Sequence, residues 1–420
     1  MNEVLDFYQK QAKEGLSTIP WVAELQTKSL RELTFYGFPS RHHEDWKYTV
    51  VDTLLQQQFG RPQAKETAEI IKSDVPVGGQ IIIQNGHVFG VEELVKQLPV
   101  GVVIQPLFQA LNQHEEKIKP YFDKLLKHEH GFHALNTALL HTGVVIYIPA
   151  GIAIEEPIVI SHWQDKDQAV HSRHLIVVEA GSEATVIEDY RGAEQSSYFT
   201  NTITEIRMAS RAKLVHYKIQ RESKVAYHIG QISVQQEENS QFHSHSLSLG
   251  GKLVRGDIHL CLQSEGAECL LNGIYAPTDG QHIDHHTTVQ HLVPNCHSEQ
   301  DYKGILAGRS RAVFNGKVIV AKDAQHTEAK QQNKNLLLSA QAEIDTKPQL
   351  EIFADDVICT HGATVGQLDE EALFYLATRG INRQEASSYL IHAFTADNLR
   401  LVPNRTLADW MGTLLNQQLR

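Results

Sequence analysis

Apolar residues in the first part of the chain, from residue 2 to about residue 60, recur at steps of three and four, the period of an amphipathic α-helix. The pattern occurs first at Val4, Leu5, Tyr8 and Ala12, and then at Trp21, Val22, Leu25, Leu30, Leu33 and Tyr36. Pro20 stands where the second run begins, a position at which the missing N–H of proline is tolerated. The pattern therefore predicts two N-terminal helices.

From Gly78 onward the apolar residues form short runs, which are typical of β-strands. The runs 80–84 (QIIIQ) and 101–105 (GVVIQ) are predicted strands, and the dipeptide Asn85-Gly86 predicts a tight turn after the first. The segment 106–141 returns to the helical period. After it, strands are predicted up to about residue 366.

A turn of small and polar residues, followed by an alternating apolar strand, recurs within this strand-rich region. Aligning Ala184, Ala212, Ser240 and Ala267 gives steps of 28, 28 and 27 residues (212 − 184, 240 − 212 and 267 − 240). A near-constant period of this length is typical of solenoids. The region is therefore predicted to be a β-helix or a similar β-solenoid, and a β-sandwich with strands of similar length is the alternative.

Helical periodicity returns after Asp369. Asn382 is the predicted N-cap of a helix, because Glu385 follows it three residues later, as in a capping box. A last helix is predicted over 407–419. The predicted domains are a mostly helical N-terminal domain over 1–140, a β-helix core over 141–366 and a C-terminal helical domain over 367–420.

The segment 346–366 (TKPQLEIFADDVICTHGATVG) holds the most suggestive chemistry in the chain, the pair Cys359 and His361. Side chains two residues apart on a strand share a face, so the thiol and the imidazole are expected to point the same way. Both are ligands of soft transition metals and iron–sulfur units. Two ligands do not complete such a site, which needs about four. A buried cysteine beside a histidine bonded to a backbone carbonyl is the alternative.

A second dense motif, RHHEDWKYT, lies near the N-terminus and mixes aromatic with charged residues. We expect Trp46 and Tyr48 to anchor the helical region onto the next domain, with Arg41, Glu44 and Lys47 paired around them. Direct contact with a ligand is the alternative.

Composition narrows the functional classes. The formal net charge is -12 with scattered basic residues, which argues against nucleic acid as a partner. No basic segment followed by an apolar one opens the chain, and no stretch approaches the roughly 20 apolar residues of a membrane span. Four cysteines without CxxC spacing suit a reducing compartment. A cytoplasmic protein is expected.

Motifs of the common catalytic classes do not occur. The chain has no GxxxxGK[ST] phosphate loop, no GxGxxG, no GxSxG and no HExxH. Histidine is abundant, at 24 residues, with groups at His243 and His245 and at His282, His285 and His286. These groups are expected to lie at the surface or in turns. The chain is therefore predicted not to be an enzyme by itself.

Three segments together resemble the SufB/SufD family, part of the machinery that assembles iron–sulfur clusters. They are RHHEDWKYT, the long block 311–366 and LFYLATRGI after it. The chain is shorter than SufB usually is and lacks its cysteine-rich stretches, which favours the SufD side of the family. The resemblance implies a helical N-terminal domain, a right-handed parallel β-helix and a helical C-terminal domain.

The resemblance also implies partners and a site. A SufD-type subunit would pair with its SufB paralogue through the β-helices, and its C-terminal helices would dock the SufC ATPase, with Phe374, Arg379 and Tyr389 as candidate contacts. His361, with Cys359 beside it, would contribute to cluster building at the SufB interface, as a transient metal site completed by SufB ligands. No cofactor is expected to stay bound to the isolated chain. A transient iron–sulfur cluster is expected in the complex, where a flavin stays an open question, and a homodimer of the isolated chain is an open alternative.

Two other classes compete with this scaffold. A carbohydrate-active β-helix enzyme needs two carboxylates on one face, and the nearest candidates, Asp355 and Asp356, are adjacent and would point to opposite faces of a strand. The other is a non-catalytic structural solenoid. The free cysteines and the lack of a secretory segment argue against it.

Overall fold

The computed structural model describes residues 2–62, 69–126 and 128–419. The described helices are α1 Asn2–Glu14, α2 Pro20–Tyr36, α3 Asp52–Leu55, α4 Val91–Val95, α5 Leu107–Gln113, α6 Glu115–Ile118, α7 Gly131–Ala138, α8 Glu370–Thr378, α9 Arg383–Arg400 and α10 Arg405–Gln418, with a short 3₁₀ helix at Glu44–Trp46. Helices therefore occupy both ends of the chain, as the periodicity predicts. Pro20 opens α2, and the Asn382 side chain accepts from the backbone N–H of Glu385 at the start of α9.

Strands fill the middle of the chain. They are β1 Gly79–Gln84, β2 His87–Phe89, β3 Val103–Pro106, β4 Val144–Ile148, β5 Ile158–Gln164, β6 Ala169–Val178, β7 Glu183–Gly192, β8 Phe199–Met208, β9 Lys213–Gln220, β10 Tyr227–Gln236, β11 Gln241–Ser248, β12 Leu253–Leu262, β13 Glu268–Tyr275, β14 His282–His291, β15 His297–Leu306, β16 Arg311–Val320, β17 Thr327–Leu337, β18 Glu343–Ile352 and β19 Val357–Gln367. The fold is mainly β.

The strands from β4 to β19 alternate between two sheets. We call them the odd sheet, in the order β19-β17-β15-β13-β11-β9-β7-β5-β1-β2, and the even sheet, in the order β18-β16-β14-β12-β10-β8-β6-β4-β3. Successive strands of each sheet pair in parallel from β5 to β19 and from β4 to β18. This is a parallel β-solenoid of about 8 turns, which confirms the solenoid prediction and excludes the sandwich.

The register corrects one step of the sequence repeat. Gln241 pairs with Lys213, and Lys213 pairs with Glu183. The counterpart of Ala212 is therefore Ser182, not Ala184. The coils vary in loop length, so an alignment on one small residue slips where a loop is longer.

The core of the solenoid lies between the two sheets. Aliphatic side chains from both sheets fill it, among them Ile160, Ile176, Val186, Leu214 and Leu271. Burial of this apolar surface, at about 25 cal/mol per Å², is the main stabilising contribution in such a core.

The N-terminal helices pack on the outer face of the even sheet. Arg173 of β6 is fully buried there, and its guanidinium bonds Asp123 (2.7 Å), Glu205 (3.1 Å) and Thr137 (3.0 Å). Glu205 also accepts the backbone N–H of Asp123 at 2.8 Å, so this ion pair fixes the turn that precedes α7. Strands β6, β8 and β10 of the even sheet are covered on both faces, and every residue of β6 is buried.

The C-terminal helices pack on the outer face of the odd sheet. Apolar residues of α9 and α10, including Ile391, Leu407 and Met411, join a cluster with Ile274 of β13 and Ile305 of β15. The side chains of Asn398 and Asn272 also bond each other, with a distance of 2.6 Å from Asn398 Nδ2 to Asn272 Oδ1. Helices α9 and α10 are therefore packed and hydrogen-bonded against the solenoid.

One end of the solenoid carries a hairpin. Strands β1 and β2 pair antiparallel around the turn at Asn85 and Gly86, both with positive φ, as that dipeptide predicts. Among the described helices, none is long and apolar enough to cross a membrane.

Candidate functional site

The other end of the solenoid is open. Strands β18 and β19 are the last strands of their sheets, and no described strand pairs with their outer edges. Ile352, Phe353, Ile358 and Val365 are exposed apolar side chains on or beside these strands. We call β18, β19 and the corner between them the open end. An edge of this length with apolar side chains is a surface for pairing with another chain.

Cys359 and His361 lie on β19 and face the lumen at this open end. Cys359 pairs with Ala329 and His361 with Gln331, and both partners are buried between the sheets. Since side chains alternate along a strand, the thiol and the imidazole share the lumen side, while Ile358 lies on the other. Cys359 is half-buried and packs beside Val357, and His361 is exposed.

The corner before β19 fixes this orientation. Asp356 is bonded on both sides, since its carbonyl accepts from the backbone N–H of His326 at 2.6 Å and its own N–H donates to Gln325 Oε1 at 2.8 Å. Its carboxylate also lies 3.1 Å from Nδ1 of His326. Asp355 and Asp356 therefore belong to a turn, not to a strand face that could hold a pair of catalytic carboxylates.

Partial burial disfavours the thiolate form of Cys359. It raises the pKa of this thiol, and a hydrogen bond from the backbone of Ala329 opposes that rise. The thiolate is the form that binds metal or attacks sulfur. A change that brings charge or solvent to the open end would therefore activate the thiol.

Among the described residues, one group of three cysteine, histidine or carboxylate side chains has all its ligand atoms within 4.8 Å of one another, and it lies elsewhere in the fold. Cys359 and His361 belong to no such group. The open end therefore offers two potential ligands on one face of a strand whose outer edge no described strand pairs with. Completing a metal or cluster site there requires ligands from another chain.

The three residues named as docking candidates lie on the C-terminal helices. Phe374 of α8 is 73% exposed and Tyr389 of α9 is 59% exposed. Arg379 is exposed at the end of α8, where its guanidinium donates to the hydroxyl of Tyr375 at 3.2 Å. All three side chains are therefore exposed on the C-terminal helices.

The N-terminal motif lies against the even sheet. Trp46 is buried, and the guanidinium of Arg255 stacks 3.9 Å from its ring centroid. Glu44 pairs with Lys347 of β18 at 2.7 Å. Lys47 is exposed, 5.3 Å from the ring of the half-buried Tyr48, and Arg41 is exposed. The Glu44–Lys347 pair thus connects this motif to a strand of the open end.

The histidine groups predicted at the surface or in turns lie in strands, and the prediction was wrong for the two histidines that are buried. His243 and His245 lie on β11, and His282, His285 and His286 lie on β14. His245 and His285 are buried; His285 Nε2 lies 3.0 Å from the Ser248 hydroxyl. Polar residues in a solenoid coil can bond across the lumen, so polarity alone does not place a histidine outside.

A histidine cluster was missed by sequence reasoning. His130 and His133 lie at the start of α7, and Asp257 lies on β12. The ligand atoms of the three residues are all within 4.8 Å of one another. The spacing of the two histidines, three apart at a helix start, was the available signal. Asp257 is more than a hundred positions away, and only the fold brings it there.

Comparison with known proteins gives a consistent result. Two family models match in succession, the SufBD protein N-terminal region over 2–160 and the SUF system FeS cluster assembly, SufBD core domain over 161–394. The iron-sulfur cluster assembly protein SufD of Escherichia coli (strain K12) is 31% identical over 401 residues, 93% of this chain and 91% of that protein. SufB of Bacillus subtilis (strain 168) is 25% identical, over 93% of this chain and 84% of that protein. An iron-sulfur cluster assembly SufBD family protein of Synechocystis sp. is 30% identical, over 90% and 86%.

Proposed function

The chain belongs to the SufB/SufD family of iron–sulfur cluster assembly proteins, and we propose that it serves there as a non-catalytic scaffold subunit in the SufD position. The observation that carries this proposal is the open end, where two unpaired strand edges surround Cys359 and His361. The higher identity to SufD than to SufB among the relatives above supports the choice of position.

The partner at the open end is a SufB-type paralogue. Unpaired N–H and C=O groups on an edge strand accept a strand from another chain, which supplies the missing hydrogen bonds. A paralogue with the same solenoid presents matching edges of its own. Joining the two solenoids end to end would also cover Ile358 and Val365, which are otherwise exposed to water.

The iron–sulfur cluster is the cargo of this site. Cys359 and His361 would supply a thiolate and an imidazole, and the paralogue would supply the remaining ligands. The raised pKa of the half-buried thiol would keep it inert until the interface between the two subunits opens. His361 is already exposed, so it is available as a first contact for iron or for a partner's thiol.

The C-terminal helices would transmit force from an ATPase of the SufC type. Phe374, Arg379 and Tyr389 form the exposed surface for docking, and the chain itself carries no phosphate-binding loop. Since Asn398 of α9 is bonded to Asn272 of the odd sheet, movement of the tail would pull on the sheet that ends in β19.

The test is to co-express this chain with its SufB-type and SufC-type partners, purify the complex anaerobically and reconstitute it with iron and sulfide. We expect visible absorption from a cluster in the wild-type complex and its loss in His361→Ala, with the complex still intact by size-exclusion chromatography. His297→Ala is the matched control, because His297 is an exposed histidine on the same sheet, two strands from β19.

Two results would overturn the proposal. One is a full cluster spectrum from the His361→Ala complex, which would remove His361 from the site. The other is failure of the wild-type chain to associate with the SufB-type protein, which would remove the pairing. A stable homodimer in place of that pair would point to a self-association scaffold.

A further inference from the structure

A cavity of about 450 Å³ lies on the outer face of the even sheet, away from Cys359 and His361. The short 3₁₀ helix at Glu44–Trp46, the start of α7 and strands β10, β12, β14 and β16 enclose it. Two of its lining side chains, His130 and His133, project from α7, and Asp257 projects from β12. Neither the cluster site nor the docking surface uses this cavity.

The three residues converge because of the secondary structure that holds them. His130 is the N-cap of α7 and His133 lies one turn on, so their side chains share a face of the helix. Asp257 follows Arg255 by two positions and shares its outward face of β12. Their ligand atoms lie within 4.8 Å of one another, and the His130 and His133 ring centroids are 3.7 Å apart.

His130 is a buried polar group without a protein partner. It is 9% exposed, and neither of its ring nitrogens has a hydrogen bond within the described chain. Buried polar atoms are nearly always satisfied, and an exception calls for a ligand or water at the site. The ring contacts Trp46 by its edge, at a centroid distance of 5.0 Å, which fixes its plane but satisfies neither nitrogen.

A metal ion at this site displaces no hydrogen bond of His130, whose ring nitrogens have none within the described chain. The contacts that it would replace at His133 are a 3.4 Å approach of the Glu129 N–H and a hydrogen bond with Gln231.

Arg255 places a positive charge beside the site, and two carboxylates compensate it. Its guanidinium is held by Asp257, whose two oxygens lie 3.0 and 3.2 Å from Nε, and by Asp284, 3.0 Å from Nη1, and it stacks on Trp46. Two carboxylates around one guanidinium leave excess negative charge. A carboxylate accepts up to about four hydrogen bonds or ligands, so Asp257 can hold Arg255 and a metal ion together.

We propose that His130, His133 and Asp257 form a binding site for a divalent transition-metal ion. Two imidazoles and one carboxylate are a ligand set used for Fe²⁺ and Zn²⁺, with open positions filled by water. No thiolate belongs to the group, so ions of intermediate hardness are favoured over Cu⁺. The cavity has room for the ion and its waters. This site stands apart from the proposed function.

The test is anaerobic titration of the full chain with Co²⁺, followed by its visible ligand-field absorption. The background is the double variant Cys359→Ser/His361→Ala, which removes the ligands of the open end. We expect one tightly bound equivalent of Co²⁺ in this background, and at least about a tenfold loss of affinity in His130→Gln and in Asp257→Asn. Zn²⁺ should displace the bound Co²⁺.

His171→Gln is the matched control. His171 is also buried with both ring nitrogens unbonded, yet it belongs to no three-ligand group in the described chain. Its substitution should leave Co²⁺ affinity unchanged, and circular dichroism should show that all variants are folded. No bound Co²⁺ in the background chain, or equal affinity in His130→Gln, Asp257→Asn and His171→Gln, would overturn the site. Neither result affects the proposed function, whose ligands this background lacks.

Discussion

The buried ion pair between Arg173 and Glu205 makes a quantitative prediction about how the N-terminal domain is attached. Both side chains are fully buried. Burial lowers the pKa of the Arg173 guanidinium, but Glu205 and Asp123 outweigh that effect, and the net shift is upward. Asp123 and Glu205 thus hold the guanidinium of Arg173 in its charged form in a fully buried position. Replacing Arg173 by Met leaves the Glu205 carboxylate buried without its cation.

Removing one partner of a buried pair costs about 3–5 kcal/mol, because the other charge stays desolvated. Glu205 still accepts backbone N–H groups from Asp123, Leu125 and Leu126, at 2.8, 3.2 and 3.3 Å, which favours the lower part of that range. We therefore expect Arg173→Met to lower the free energy of unfolding by about 3 kcal/mol. The double variant Arg173→Met/Glu205→Gln should recover much of this loss, since it removes the unpaired charge and keeps an acceptor for the backbone.

The assay is urea denaturation at pH 7, followed by fluorescence and circular dichroism. Arg383→Met is the control, because the Arg383–Glu370 pair is exposed to water on both sides and is expected to contribute nothing measurable. If Arg173→Met shifts the transition no more than Arg383→Met does, the pair does not hold the N-terminal domain. The reasoning from burial would then be refuted.

Three further predictions follow from the same structure. Asn398→Ala should lower the free energy of unfolding by about 1–3 kcal/mol, because it leaves Asn272 partly unbonded in a buried position. Amide hydrogen exchange should become faster in α9 and α10, and unchanged exchange there would contradict this prediction. Ile358→Lys places a charge on the exposed edge of β19 and should weaken association with a SufB-type partner, as measured by size-exclusion chromatography. Val100→Lys, at an exposed position far from the open end, is the control and should not weaken it. Equal effects of the two variants would show that the edge of β19 is not part of the interface. The free energy of unfolding should be constant above about pH 7 and fall from about pH 6.5 to pH 4. The reason is that the unfolded chain takes up protons near pH 6.5, whereas burial lowers the pKa of four histidines in the folded chain to about 4, namely His141, His174, His285 and His291. Urea midpoints that do not change over that range would contradict this prediction.

Local signals in the sequence predict much of this fold. Pro20 and Asn382 mark helix starts, and Asn85-Gly86 marks a turn, because each depends on backbone chemistry within a few residues. The solenoid is detectable from its period, because every coil repeats the same turn and strand. Family resemblance then predicts a partner and a role for His361, which the spacing of two ligands alone does not indicate.

Local sequence signals of this kind do not predict the long-range features of the fold. All ten residues of β6 are buried, so its sequence has no alternation to mark which side chains face the lumen. The step from Ala184 to Ala212 was misaligned, because the counterpart of Ala212 is Ser182 and loop lengths differ between coils. His130, His133 and Asp257 converge only after helix α7 packs on the even sheet. Residues of this kind are separated along the chain and become neighbours through tertiary contacts alone.

The central claim is that the open end accepts strands from a SufB-type partner around Cys359 and His361. Hydrogen–deuterium exchange measured on this chain alone and in the complex tests it most directly. We predict that amides in Glu343–Ile352 and Val357–Gln367 become strongly protected in the complex, while those of β5 and β7 at the distant end of the odd sheet do not change. Protection elsewhere in a stable complex, with β18 and β19 exchanging as before, would contradict the claim.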